Sequence, residues 1–139
     1  MPDRSPVTDR GNRDEAVRGH YFAFLAEGRF FLVTTFRPKG APVSVRVQGI
    51  VDGDEAYFRI RSRSGTARHL RAAVPVQVAG CNALGLVSYG QPRFAAVRLL
   101  ADEEASRVAG RLDRKYPVKR RFLIRLTRQT QAYYRLLPP

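Results

Sequence analysis

Three short segments near the front of the chain fix what it can fold into. RFFLVTTF, residues 29 to 36, is dense in β-branched and aromatic side chains and reads as a buried strand. Pro38, Lys39 and Gly40 supply a turn. PVSVRVQGIV, residues 42 to 51, then alternates, with Val43, Val45 and Val47 on one face and Ser44, Arg46 and Gln48 on the other. Gly49 is expected to mark a bulge. Asp52-Gly53-Asp54 is a hairpin signal. A third strand returns from it, with Tyr57, Arg59, Arg61 and Arg63 pointing one way and Phe58, Ile60 and Ser62 the other. Such short connections leave room only for consecutive antiparallel strands.

The remainder extends the same sheet. VPVQVAGC (74 to 81), RFAAVRLL (93 to 100) and QAYYRLL (131 to 137) read as three more strands, and 82 to 92 as a loop or loose hairpin. Apolar spacing predicts an amphipathic helix from Asp14 to Glu27, stopped by Gly28. A second helix is predicted over Ala101 to Tyr116, acidic at its start, basic at its end and stopped by Pro117. Residues 118 to 129 fit either periodicity and are read as helix. Residues 1 to 13 lack apolar periodicity and are expected to be a disordered tail before one domain, 14 to 139. The expected class is mainly β: a small six-stranded antiparallel barrel with helices packed at its rim.

Charge sets the chemistry. The formal net charge is +13, carried almost wholly by arginine, which implies an anionic partner. No apolar run is long enough to span a bilayer and the start of the chain has no apolar signal core, so a cytoplasmic setting is expected. Cys81 stands alone, and His20 and His69 are the only histidines, which leaves few ligands for a metal. Glycine-rich phosphate loops and the usual hydrolase motifs are missing, so an enzyme built this way would borrow its reactive chemistry from a cofactor.

The arginine strand feeds into Ser64, Gly65 and Thr66 and a helix-like run holding Ala67, Arg68 and Leu70. Ser64 is a suitable N-cap, which would set free N–H groups beside guanidinium groups. Alone, the alternating arginine face is either the solvated side of a sheet or an anion site. The polar face of the preceding strand, with Arg46 and Gln48, favours a ligand groove. Nucleic acid is a rival ligand, because aromatic and arginine residues interleave at Tyr57-Phe58-Arg59. No recognition signature for it is present, which makes nucleic acid the weaker reading.

The order FLVTTF, RPKGAPVSV, AYFRIRSRSGTARHLR, PVQVAGC, RFAAVRLL and ADEEASRVAGRLDRKYP resembles the pyridoxamine-phosphate-oxidase-like class of deazaflavin-dependent oxidoreductases. The resemblance implies the FMN-binding type of split β-barrel and a homodimer with two cofactor sites at its interface. It implies binding of coenzyme F-420, with FMN as the alternative, and hydride transfer between the cofactor and an unsaturated small molecule. A cofactor- or nucleic-acid-binding module without catalysis is the other alternative. Ser64 and Gly65 match the family's phosphate turn, and Arg68 a frequent basic position in its helix. Thr66 stands where relatives carry a basic residue, so Arg61 or Arg63, with Arg59 beside them, would supply the charge. Ser44, Arg46 and Gln48 fall where relatives line the ring pocket. Tyr57, Tyr133 and Ser44 are the candidate proton donors.

Overall fold

A computed structural model describes residues 21–70, 75–117 and 131–139. The predicted tail, the first half of the first predicted helix (14 to 20) and the segment 118 to 129 lie outside those residues. A 3-10 helix, Tyr21–Glu27, precedes six strands and two helices. These are β1 (Phe30–Thr35), β2 (Val43–Asp52), β3 (Glu55–Arg61), α1 (Gly65–Leu70), β4 (Val76–Cys81), β5 (Ser88–Leu99), α2 (Asp102–Lys115) and β6 (Gln131–Leu137). The strands close an antiparallel barrel in the order β1-β2-β3-β6-β5-β4.

Alternation decides what fills it. Phe31, Val33, Val47, Ala56, Phe58, Ile60, Val76, Val78, Ala95, Tyr134 and Leu136 point inward into one core. Phe22 and Leu25 of the 3-10 helix and Ala67 and Leu70 of α1 join it. The outer residues Phe30, Ile50, Tyr57, Cys81 and Tyr133 form a second core under Val108 and Leu112 of α2 and the following Tyr116. The long helix therefore lies on the barrel wall rather than at a rim. Its acidic first turn, Asp102, Glu103 and Glu104, and its basic last turn, Arg114 and Lys115, complement its dipole.

Two local expectations are corrected. Gly49 makes no bulge: β2 pairs with β1 through Val47 and with β3 from Gln48 onward, in unbroken register. What requires glycine there is the Phe31 ring, which would stand 2.3 Å from an added Cβ. Residues 82–87 form the turn of a β4–β5 hairpin, in line with the hairpin reading, but β5 begins at Ser88, five residues before the predicted strand. Its disruption is a bulge, where the β4–β5 register shifts between Val78 and Gly80. Gly90, at φ 72°, and Pro92 sit opposite that shift, where ladder geometry is already broken.

Gly49→Ala is expected to destabilise the fold by about 1–3 kcal/mol, because Phe31 is fully buried and cannot swing aside. Urea denaturation of the wild type and the variant measures this.

Candidate functional site

The β3 arginines divide at the edge of α2. Arg59 faces outward from the barrel, yet it is only 4% exposed because the helix covers it. Its Nη1 donates to Asp113 Oδ1 at 2.8 Å, its Nε to Gln48 Oε1 at 2.7 Å, and its Nη1 also reaches the Tyr133 hydroxyl at 3.5 Å. Burial of a guanidinium demands such partners. Arg61, two residues on, is past the helix and exposed. Among the described residues, neither Arg61, Arg63 nor Arg68 forms an ion pair.

These residues border a groove of about 400 Å³, lined by Val45, Arg46, Val47, Gln48, Arg59, Ile60, Arg61, Ser64 and Gln131. It brings together Arg46, Gln48, Arg59, Arg61 and Ser64 of the predicted site. Ser44, Arg63, Gly65, Thr66 and Arg68 do not line it. The Ser44 hydroxyl is bonded to that of Thr34 at 2.6 Å. Thr66 is buried. Ser64 does cap the helix, accepting from the Ala67 N–H at 3.0 Å. The described part of α1 is Gly65–Leu70. Guanidinium groups supply charge at the groove. Arg46 supplies one from the opposite bank, where it lies 4.4 Å over the Phe30 ring and bonds to the Ala83 carbonyl.

Sequence reasoning missed two features. A second cavity of about 480 Å³ lies between α2 and β6, lined by Asp102, Ala105, Ser106, Ala109, Gly110, Gln131 and Tyr133. Only the pairing of a helix face with a distant strand creates it, so local patterning gave no signal. The second feature is the anchorage of α2. Lys115 Nζ donates to the Gly49 carbonyl at 2.7 Å, and the Gly49 N–H donates to the Tyr116 hydroxyl at 3.1 Å. That hydroxyl in turn lies against the Gly49 carbonyl at 2.8 Å and the Arg29 carbonyl. Burial pushes the Tyr116 phenol above its ordinary value and, with Arg29 nearby, the Lys115 amine below its own. Among the described residues no cluster of three or more metal-ligating side chains occurs, and no helix is long and apolar enough to cross a membrane.

No protein-family model matches the sequence, and no curated protein matches it. Solved structures do match the fold. A Listeria innocua protein named for pyridoxamine 5'-phosphate oxidase superposes with a TM-score of 0.60 at 14% identity, covering 88% of this chain and 93% of that one. This chain has the split-barrel fold of pyridoxamine-phosphate-oxidase-like proteins. An F-420 reductase matches with a TM-score of 0.52 at 17% identity, over 85% of this chain and 92% of that one. The haem storage protein HutZ of Vibrio cholerae matches equally, at 0.52 and 12% identity over 86% and 88%. One barrel thus serves proteins named for an oxidase, a reductase and a storage role, and fold alone does not choose among them.

Two outcomes are expected. Asp113→Ala should cost about 1–3 kcal/mol in chemical denaturation, less than for a fully buried pair because Asp113 is 31% exposed, and Arg59→Met with Asp113→Leu should recover part of it. Tyr116 has a folded-state pKa raised above its ordinary 10.0, so its contribution is complete below pH 10 and lost as pH rises through the folded value. Tyr116→Phe should flatten the fall in denaturation midpoint above about pH 10, while lowering stability at neutral pH by about 1–3 kcal/mol.

Proposed function

We propose that the groove between β2 and β3 holds the phosphate-bearing part of a flavin-type cofactor, and that the protein is an oxidoreductase using coenzyme F-420, with FMN as the alternative. The observation that carries this reading is Arg61, exposed and without an ion-pair partner among the described residues, lining one groove with Arg46 on a split barrel.

The donor set fits a phosphate ester. Arg61 and Arg46 offer bidentate, permanently charged forks, and the side-chain amides of Gln48 and Gln131 add neutral donors. Arg59 is already engaged by Asp113 and Gln48, so its role is to hold Gln48 in place and keep the groove floor positive. Arg63 and Arg68, exposed beyond the groove, would attract an acidic extension of the ligand at longer range. The bound deazaflavin or flavin would supply the hydride chemistry. The protein's own part is to bind, orient and exclude water from one side of the ring. Leu84 and Leu86, exposed at the β4–β5 turn beside Arg46, support a homodimer, since a second copy would cover them.

Titration of the purified protein with coenzyme F-420, FMN and a short single-stranded oligonucleotide checks the assignment. Micromolar deazaflavin or flavin binding is expected. Arg61→Gln should weaken it by about 1–3 kcal/mol, and Arg63→Gln by less than 1 kcal/mol. Oligonucleotide binding that collapses with salt, without any cofactor binding, would sink the proposal. Light scattering reports the dimer.

A further inference from the structure

Gln48 and Arg59 stand directly opposite each other in the β2–β3 register, where β2 first takes β3 as its partner. Arg59 Nε donates to Gln48 Oε1 at 2.7 Å, and its Nη1 donates to Asp113 Oδ1 at 2.8 Å. A guanidinium has donors only, so the Gln48 atom that meets it is the oxygen. The amide therefore has one orientation. Turning it over would set N–H against N–H and strip a buried donor of its acceptor, which disfavours the turned form about tenfold or more.

What Gln48 can still offer is its amide N–H groups, at the wall of the groove that Arg46, Arg61 and Ser64 also line. Donation by Arg59 to the amide oxygen polarises the amide and makes those N–H groups better donors. A glutamine in solution accepts as readily as it donates, whereas this one is held as a donor. Asp113 does not line the groove, yet it holds the guanidinium that holds the amide. The link runs from α2 through β3 to β2, and each step is a hydrogen bond.

We propose that Gln48 reads an oxygen of a bound phosphate through its amide N–H groups, and that Asp113 is the positioning residue that fixes it for this through Arg59. As a phosphate reader, Gln48 rests on the reading that the groove holds a phosphate-bearing ligand; as a donor held by Arg59, it does not. The consequence is selectivity. Arg46 and Arg61, both exposed, attract any anion, but an N–H or O–H placed against Gln48 meets a group that cannot accept it.

The test follows the Gln48 side-chain amide by nitrogen-15 NMR in the full-length protein, its signals assigned by their loss in Gln48→Glu. Inorganic phosphate, FMN and coenzyme F-420 are added in turn. Phosphate and at least one cofactor should bind and move a Gln48 amide proton downfield. Gln48→Glu keeps an acceptor for Arg59 but puts an oxygen where the N–H groups were, so affinity should fall about tenfold or more while the melting temperature holds. Asp113→Ala should weaken binding about fivefold and cancel the downfield shift, whereas Asp113→Asn, which can still accept from Arg59, should keep both close to wild type. Added to Gln48→Glu, the Asp113→Ala change should alter affinity by less than about twofold. An amide proton that stays in place on binding, or unchanged affinity in Gln48→Glu, overturns the role of Gln48; FMN or coenzyme F-420 binding in that same experiment leaves the cofactor reading standing. Equal effects of Asp113→Ala with and without Gln48 overturn the role of Asp113. Binding of phosphate alone, with the amide shift, supports the proposal and removes the cofactor reading. Binding of none of the three overturns both.

Discussion

The barrel depends on how β2 changes partners. Up to Val47 it pairs with β1, and from Gln48 it pairs with β3. At the changeover Gly49 offers an N–H and a carbonyl that Tyr116 and Lys115 take up. Buried backbone groups must be matched, and here the match comes from the end of a helix that follows β5. The same requirement that closes the sheet therefore fixes where α2 ends. Since Leu112 and Val108 are buried one and two turns earlier, the whole helix is pinned along the outer wall.

Placing α2 there divides the arginines by position rather than by sequence. Arg59 and Arg61 alternate onto the same outer face of β3. One is sealed beneath the helix and neutralised by Asp113, and the other emerges where the helix has been passed. Desolvation of a guanidinium is tolerable only with charged and polar partners, which explains why Gln48 and Asp113 converge on Arg59. The groove inherits a floor from that buried cluster, an exposed guanidinium from Arg61 and a second, held against Phe30 and the Ala83 carbonyl, from Arg46.

Much of the fold was legible because period-two alternation is a local property. The hairpin at Asp52-Gly53-Asp54, the six strands and the acidic and basic ends of α2 follow from neighbours in sequence. The face of a strand that ends up solvated is not local. Alternation put Arg59 and Arg61 on one face, but only the tertiary position of α2 buries the first and exposes the second. The same reason hid the meaning of Gly49. A glycine in a strand signals a bulge or a close approach equally well, and the Phe31 ring that decides the matter is eighteen residues away. Arg46, Gln48, Arg59, Arg61 and Ser64, named from the sequence, line one groove, which needs β2 and β3 to pair and so follows from the hairpin between them.

The two neighbouring cavities complete the physical logic. A basic chain attracts anions everywhere at long range, so local differences depend on where guanidinium groups gather. The groove between β2 and β3 gathers them, while the described lining of the cavity between α2 and β6 is alanine, glycine, serine, Asp102, Gln131 and Tyr133. The boundary between them is Gln131, the first residue of β6, backed by Tyr133 and by the Arg59 cluster beneath it. An amide side chain suits such a boundary, because its N–H groups can donate on one side while its oxygen accepts on the other.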